Sequence, residues 1–148
     1  MSAGLDTALW RFTYEAVVRT SRGPSLREAA EALGASEPEV LAAYQRLGEG
    51  HAILLDASGA GLWRIAPFSA VPTDFAVEAG GRTYFANCAW DALGICAALH
   101  ADGFVRASCG CCRLPMDLAV RGAALEPAEG LIHIAVPAKD WYQDIVFT

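Results

Sequence analysis

VEAGGRTYFANCAWDALGICAALHADGFVRASC, residues 77–109, is the stretch that decides the fold. Val77-Glu-Ala and Arg82-Thr-Tyr-Phe-Ala-Asn read as two strands across a Gly80-Gly81 turn. Ala89 to His100 has helical character and ends before Asp102-Gly103, and Phe104 to Cys109 reads as the next strand. Strand, turn, strand, helix, strand predicts a helix crossing an antiparallel sheet. Further on, CGCCRLP reads as a turn, MDLAVRG as a strand, and LIHIAVP as an alternating strand stopped by Pro137.

Upstream the pattern changes. Leu5, Leu9, Phe12 and Ala16 lie at helical spacing over about Leu5 to Thr20. Ser25 with Glu28, and Ser36 with Glu39, have the spacing of capping boxes opening two further helices, which stop at Gly34 and Gly48. HAILLD, a turn and LWRIAP then suggest a hairpin, so three helices and a hairpin give a winged-helix pattern. The expected architecture is α+β. Residues 1–66 form a winged-helix-like helical module, 67–76 (PFSAVPTDFA) a linker, and 77–148 an antiparallel β core with one central helix.

Composition bounds the function. The 148 residues carry a net charge of −6, which argues against nucleic acid as a partner. Glu37, Glu39 and Glu49 against the single Arg46 make a poor reading helix. The helical module is therefore expected to pack or cover a site. The start, MSAGLDTALWRF, has no basic segment leading into an apolar run, and no stretch has the length of a membrane span. A soluble, cytoplasmic protein is expected, with no membrane partner. All five cysteines fall between Cys88 and Cys112, and in a reducing compartment such clustering points to metal, catalysis or burial rather than disulfides.

Cys88 stands where a strand gives way to a helix, where backbone N–H groups and the helix dipole would stabilise a thiolate. Asp91, three residues on, would place its carboxyl on the same side as the sulfur. A low-pKa thiol beside a proton-carrying carboxyl is one reading. A capping Asp91 and a small core Cys88 is the other, and C-x-x-D spacing does not choose between them. Cys109, Cys111 and Cys112 form C-x-C-C on a turn, which suits a soft metal, packing or, less well, zinc. Cys96 is expected to face the core, and His133 to sit satisfied in its strand. His51 and His100 fall at element ends. Trp141 and Tyr142 are expected to cover the core or line a pocket.

NCAWDALGI resembles the Cys-Ala-x-Asp-x-Leu stretch of the organomercurial (alkylmercury) lyase family. VRASCGCC and RLPMDLAV resemble the strand, cysteine-bearing turn and strand that follow in that family. IHIAVPAKDWYQDIVFT resembles its long strand, proline break and Trp-rich segment. The likeness covers nearly the whole chain, most specifically Tyr84 to Thr148. It implies protonolysis of carbon–mercury bonds, with Cys88 as the first catalytic cysteine and Asp91 as the catalytic aspartate. No resident cofactor is implied. Hg(II) is the bound product, and a small organomercurial and cellular thiols are the partners. The family's second catalytic cysteine follows the strand that DWYQDIVFT resembles, so a sequence stopping at Thr148 reads as lacking that segment. Cys88, Cys109, Cys111 and Cys112 are the candidate ligands for mercury. A non-catalytic soft-metal binder or sensor is the alternative function.

Overall fold

The computed structural model describes residues 2–134 and 136–145. Three helices come first: α1 (Ser2–Thr20), α2 (Leu26–Leu33) and α3 (Glu37–Glu49). Helix α2 begins in a full capping box. Glu28 N–H donates to Ser25 Oγ at 3.2 Å, and the Glu28 carboxylate accepts from Ser25 N–H at 2.8 Å. Ser36 likewise donates its N–H to Glu39 at 2.9 Å. Gly34 ends α2 in the left-handed conformation, φ 63°.

Eight strands follow, β1 (Leu54–Leu55), β2 (Leu62–Ile65), β3 (Phe68–Ser69), β4 (Ala76–Ala79), β5 (Arg82–Ala86), β6 (Gly103–Arg106), β7 (Leu118–Arg121) and β8 (Ala124–Glu126). They form one antiparallel sheet in the order β1-β2-β3-β5-β4-β6-β7-β8. The architecture is therefore α+β. Ala79 faces Arg82 across the Gly80-Gly81 turn, whose φ values of 57° and 75° are those of a tight hairpin that glycine adopts without strain. Helix α4 (Ala89–Leu99) joins β5 to β6 and packs on β4, β5 and β6. Its Ala92, Ile95 and Cys96 are buried against Val77, Tyr84 and Val105, so Cys96 does face the core. A Cβ on Gly103 would lie 2.5 Å from Cys96 Sγ and 3.1 Å from the Glu78 carbonyl, so only glycine lets β6 run this close beneath α4.

Two contacts seat the helices on the sheet. Tyr84 Oη donates to the Val18 carbonyl at 2.7 Å, and Phe68 sits between Tyr14 and Tyr84 with ring centroids 5.5 and 5.4 Å away. Within the helices, Thr13 and Tyr44 share a hydroxyl hydrogen bond of 2.8 Å and both side chains are fully buried. Thr13→Val keeps the shape but strands the Tyr44 hydroxyl. It is expected to destabilise the fold by about 1–3 kcal/mol in urea denaturation, with part of the loss recovered on adding Tyr44→Phe.

Several sequence expectations are corrected. The hairpin β1–β2 is not a separate wing but the edge of the eight-stranded sheet. Within 67–76, expected to be a linker, Phe68–Ser69 forms β3, which is buried and paired with β2 and β5. Of LIHIAVP, Ala135 lies outside the described residues; Leu131–Ile134 forms no strand among them and is exposed, Leu131 at 95%. Alternation specifies which face a strand would bury but supplies no neighbour to bond, and the ladder ends at β8. His133 is accordingly an exposed coil residue. Residues Ala138–Gln143 form a short 3-10 helix where the likeness suggested a strand, and 146–148 lie outside the described residues. No described helix is long and apolar enough to cross a membrane.

Candidate active site

Strand β5 delivers Asn87 and Cys88 to the head of α4. Cys88 is the N-cap residue, its backbone extended at φ −155°, and its carbonyl accepts the first helical bond from Ala92 N–H at 3.0 Å. The N–H groups of Trp90 and Asp91 are aimed at the Cys88 sulfur, as a helix N-terminus should aim them. Asp91 lies in the first turn. Its Oδ2 accepts from Asn87 Nδ2 at 2.8 Å, and its carboxyl lies near enough to the Cys88 thiol for each to shift the other's titration. The expected same-side placement of sulfur and carboxyl is what the helix produces.

The electrostatics differ from expectation. Burial pushes the Cys88 thiol up, and this outweighs the helix N–H groups and the nearby Arg64, which pull it down; the Asp91 charge adds to the rise. Burial also raises the Asp91 carboxyl, against the lowering effects of Asn87, Arg64 and Cys88. Both groups are therefore shifted toward their proton-bearing forms relative to free side chains. A resting thiolate at Cys88 is not what this environment selects.

The burial comes from residues remote in sequence. Ile134, Trp141 and Ile145 close over Cys88 and Asp91 to leave a cavity of about 90 Å³, with Trp90 at its rim and Arg64 in its wall. Trp141 is pinned by Nε1 donating to the Val136 carbonyl at 2.9 Å. Tyr142 turns away from the pocket and stacks on His51, ring centroids 3.9 Å apart. Arg64, from β2, donates Nη1 to the Ile145 carbonyl at 3.1 Å and so clamps this cover. Arg64 Nε and Asn87 Oδ1 are buried without a hydrogen-bond partner among the described residues, leaving one donor and one acceptor at the cavity. A larger depression of about 440 Å³ beside α1 and α2 holds no thiol, and its Arg22 and Glu28 are paired with each other.

Neither Arg64 nor Asn87 stands out in the sequence. Arg64 lies in a short strand, and only the fold brings it to Cys88. Arg64→Met removes a positive charge that favours both ionised forms, so the Cys88 thiol and the Asp91 carboxyl should both titrate higher. Alkylation of Cys88 by iodoacetamide, followed peptide by peptide in a mass spectrometer, should be several-fold slower near neutral pH. Its pH profile should move to higher pH, and Arg64→Lys should restore part of the rate.

The remaining cysteines are elsewhere. Cys109 is half-buried and Cys111 and Cys112 exposed, on the turn between β6 and β7. Among the described residues no three His, Cys, Asp or Glu side chains gather as a metal centre, so Cys88 does not join Cys109, Cys111 and Cys112 in one site.

Fold and site together define an α+β protein that holds a thiol and a carboxyl at the head of its sheet-crossing helix, under an aromatic cover. The alkylmercury lyase (MerB) family matches residues 68–148, more than half of the sequence, and the chain belongs to that family. Among solved structures, the mercury-bound form of MerB2 matches with a TM-score of 0.68 and 23% identity. The match covers 81% of this chain and 57% of that one, so this chain spans less than two thirds of its relative. The likeness shows a shared fold. No curated protein matches.

Proposed function

We propose that this protein cleaves carbon–mercury bonds by protonolysis, with Cys88 as the mercury-binding nucleophile and Asp91 as the proton carrier. The observation that carries this reading is the Cys88 thiol and the half-buried Asp91 carboxyl lining one small, largely apolar cavity. A soft metal bound to carbon prefers sulfur over any oxygen or nitrogen donor there. As mercury approaches, the Cys88 proton passes to Asp91, a mercury–sulfur bond forms, and the ligand that mercury carried in, a small thiolate, leaves. The carbon–mercury bond then breaks with its electron pair on carbon, which takes the proton held by Asp91 and departs as hydrocarbon. Hg(II) stays on the Cys88 sulfur until small thiols from solution supply its second ligand and remove it. The raised Asp91 carboxyl suits a group that must hold a proton between the two steps.

In this reading the three helices α1–α3 serve packing. Arg46, the one basic residue of α3, is spent on a two-point bond to Asp6 at 2.6 and 3.0 Å, which leaves the helix acidic. All five thiols are free, in keeping with a cytoplasmic setting rich in small thiols. The exposed cysteines of the β6–β7 turn favour a second reading, a protein that binds thiophilic ions without cleaving them.

Phenylmercury offered in heavy water with excess small thiol separates the two. The enzyme should release benzene carrying one deuterium, faster than the protein-free mixture does. Mercury bound with benzene formation no faster than that blank would leave the binder and remove the lyase.

A further inference from the structure

The β6–β7 turn is built, not loose. Cys109 N–H donates to the Leu114 carbonyl at 2.8 Å, Arg113 N–H returns to the Cys109 carbonyl at 2.9 Å, and Ser108 bridges to Pro115. Arg113, held in the left-handed region at φ 61°, is tied to Asp74 at 3.3 Å. Folding the chain back in this way brings the Cys112 side chain near the Cys109 sulfur, three residues on around the turn. Residues 109–112 thus present two sulfurs at C-x-x-C spacing on one ordered turn, Cys109 half-buried and Cys112 solvent-exposed.

We propose that Cys109 and Cys112 form a second, solvent-facing site that chelates a two-coordinate thiophilic cation, Hg(II) foremost, independently of the Cys88 cavity. Loading forms two mercury–sulfur bonds. The two thiol protons leave with the two small thiolates that mercury brings, as free small thiol. The chemistry selects such a cation over zinc, because two thiolates satisfy a soft ion of low coordination number. A structural zinc site needs four ligands, and no third side chain of that kind joins this pair among the described residues. Two sulfurs on one turn also outcompete free monothiols, since the second bond forms at the high effective concentration of a short tether.

The test uses the full chain carrying Cys88→Ser, so that it does not depend on lyase turnover. The protein is loaded with Hg(II) in excess glutathione under reducing conditions and read by native mass spectrometry. One mercury per chain should be retained. Adding Cys109→Ser and Cys112→Ser should lower retention by about tenfold or more, while Cys111→Ser should leave it unchanged. Equal loss of mercury from the Cys88→Ser chain and from the triple variant would overturn the site. So would retention that depends on Cys111 instead. Circular dichroism of each variant shows that its fold is kept.

Discussion

Cys88→Ser should bring carbon–mercury cleavage down to the protein-free rate, a loss on the order of a thousandfold or more. Oxygen is a hard donor with little affinity for mercury, and a serine hydroxyl does not ionise at any pH the fold survives. The loss should be purely chemical. Position 88 is the N-cap of α4, where serine is a preferred residue and can use the same Trp90 and Asp91 N–H groups that now face the sulfur. The variant should therefore melt no lower than the parent. Benzene release from phenylmercury measures the first effect and a thermal scan the second. A Cys88→Ser chain that keeps even a tenth of the parent rate would place the nucleophile elsewhere.

Asp91→Asn should cost on the order of 10²–10⁴-fold in turnover, because asparagine fills the same space and keeps an acceptor for Asn87 but carries no transferable proton. Mercury capture by Cys88 should survive, which separates the proton step from the binding step. Stability should move the other way. The Asp91 carboxyl titrates higher in the folded chain than the ordinary 3.8, so folding favours its protonated form. That benefit is fully present below 3.8 and is lost as pH rises through the folded value. Above the folded value the parent carries a partly desolvated carboxylate and the variant does not, so there Asp91→Asn should melt higher. The gap should close as the solution is acidified toward the ordinary aspartate value. A gap that stays constant with pH would mean that burial is not what sets this carboxyl.

The sequence revealed the frame of the site better than its chemistry. Gly80-Gly81, the two Ser/Glu caps and the apolar spacing of Ala92, Ile95 and Cys96 are local signals, and each corresponds to a turn, a helix start or a buried face. Placing Cys88 and Asp91 on one side of a helix start needed only helical geometry. The sign of the Cys88 shift was out of reach, because it depends on Trp141 and Ile145 closing over the sulfur, and nothing near Cys88 announces them. Arg64 was invisible for the same reason. LIHIAVP misled because alternation records a tendency to bury one face, and strand formation also needs a bonding partner that no short window contains. The cysteine turn was legible as a cluster. Which of its sulfurs face one another depends on the backbone path from Cys109 to Arg113.

The clamp from Arg64 to the Ile145 carbonyl joins two points far apart in the chain. A ribosome makes the strand carrying Arg64 first, then Cys88 and Asp91, and only much later the Ile134, Trp141 and Ile145 that roof them. The nascent polypeptide therefore carries its sulfur bare from the making of Cys88 until these later residues follow. The pocket comes into being as a pocket only once residues 134–145 have cleared the exit tunnel and settled onto the strands and helix made before them.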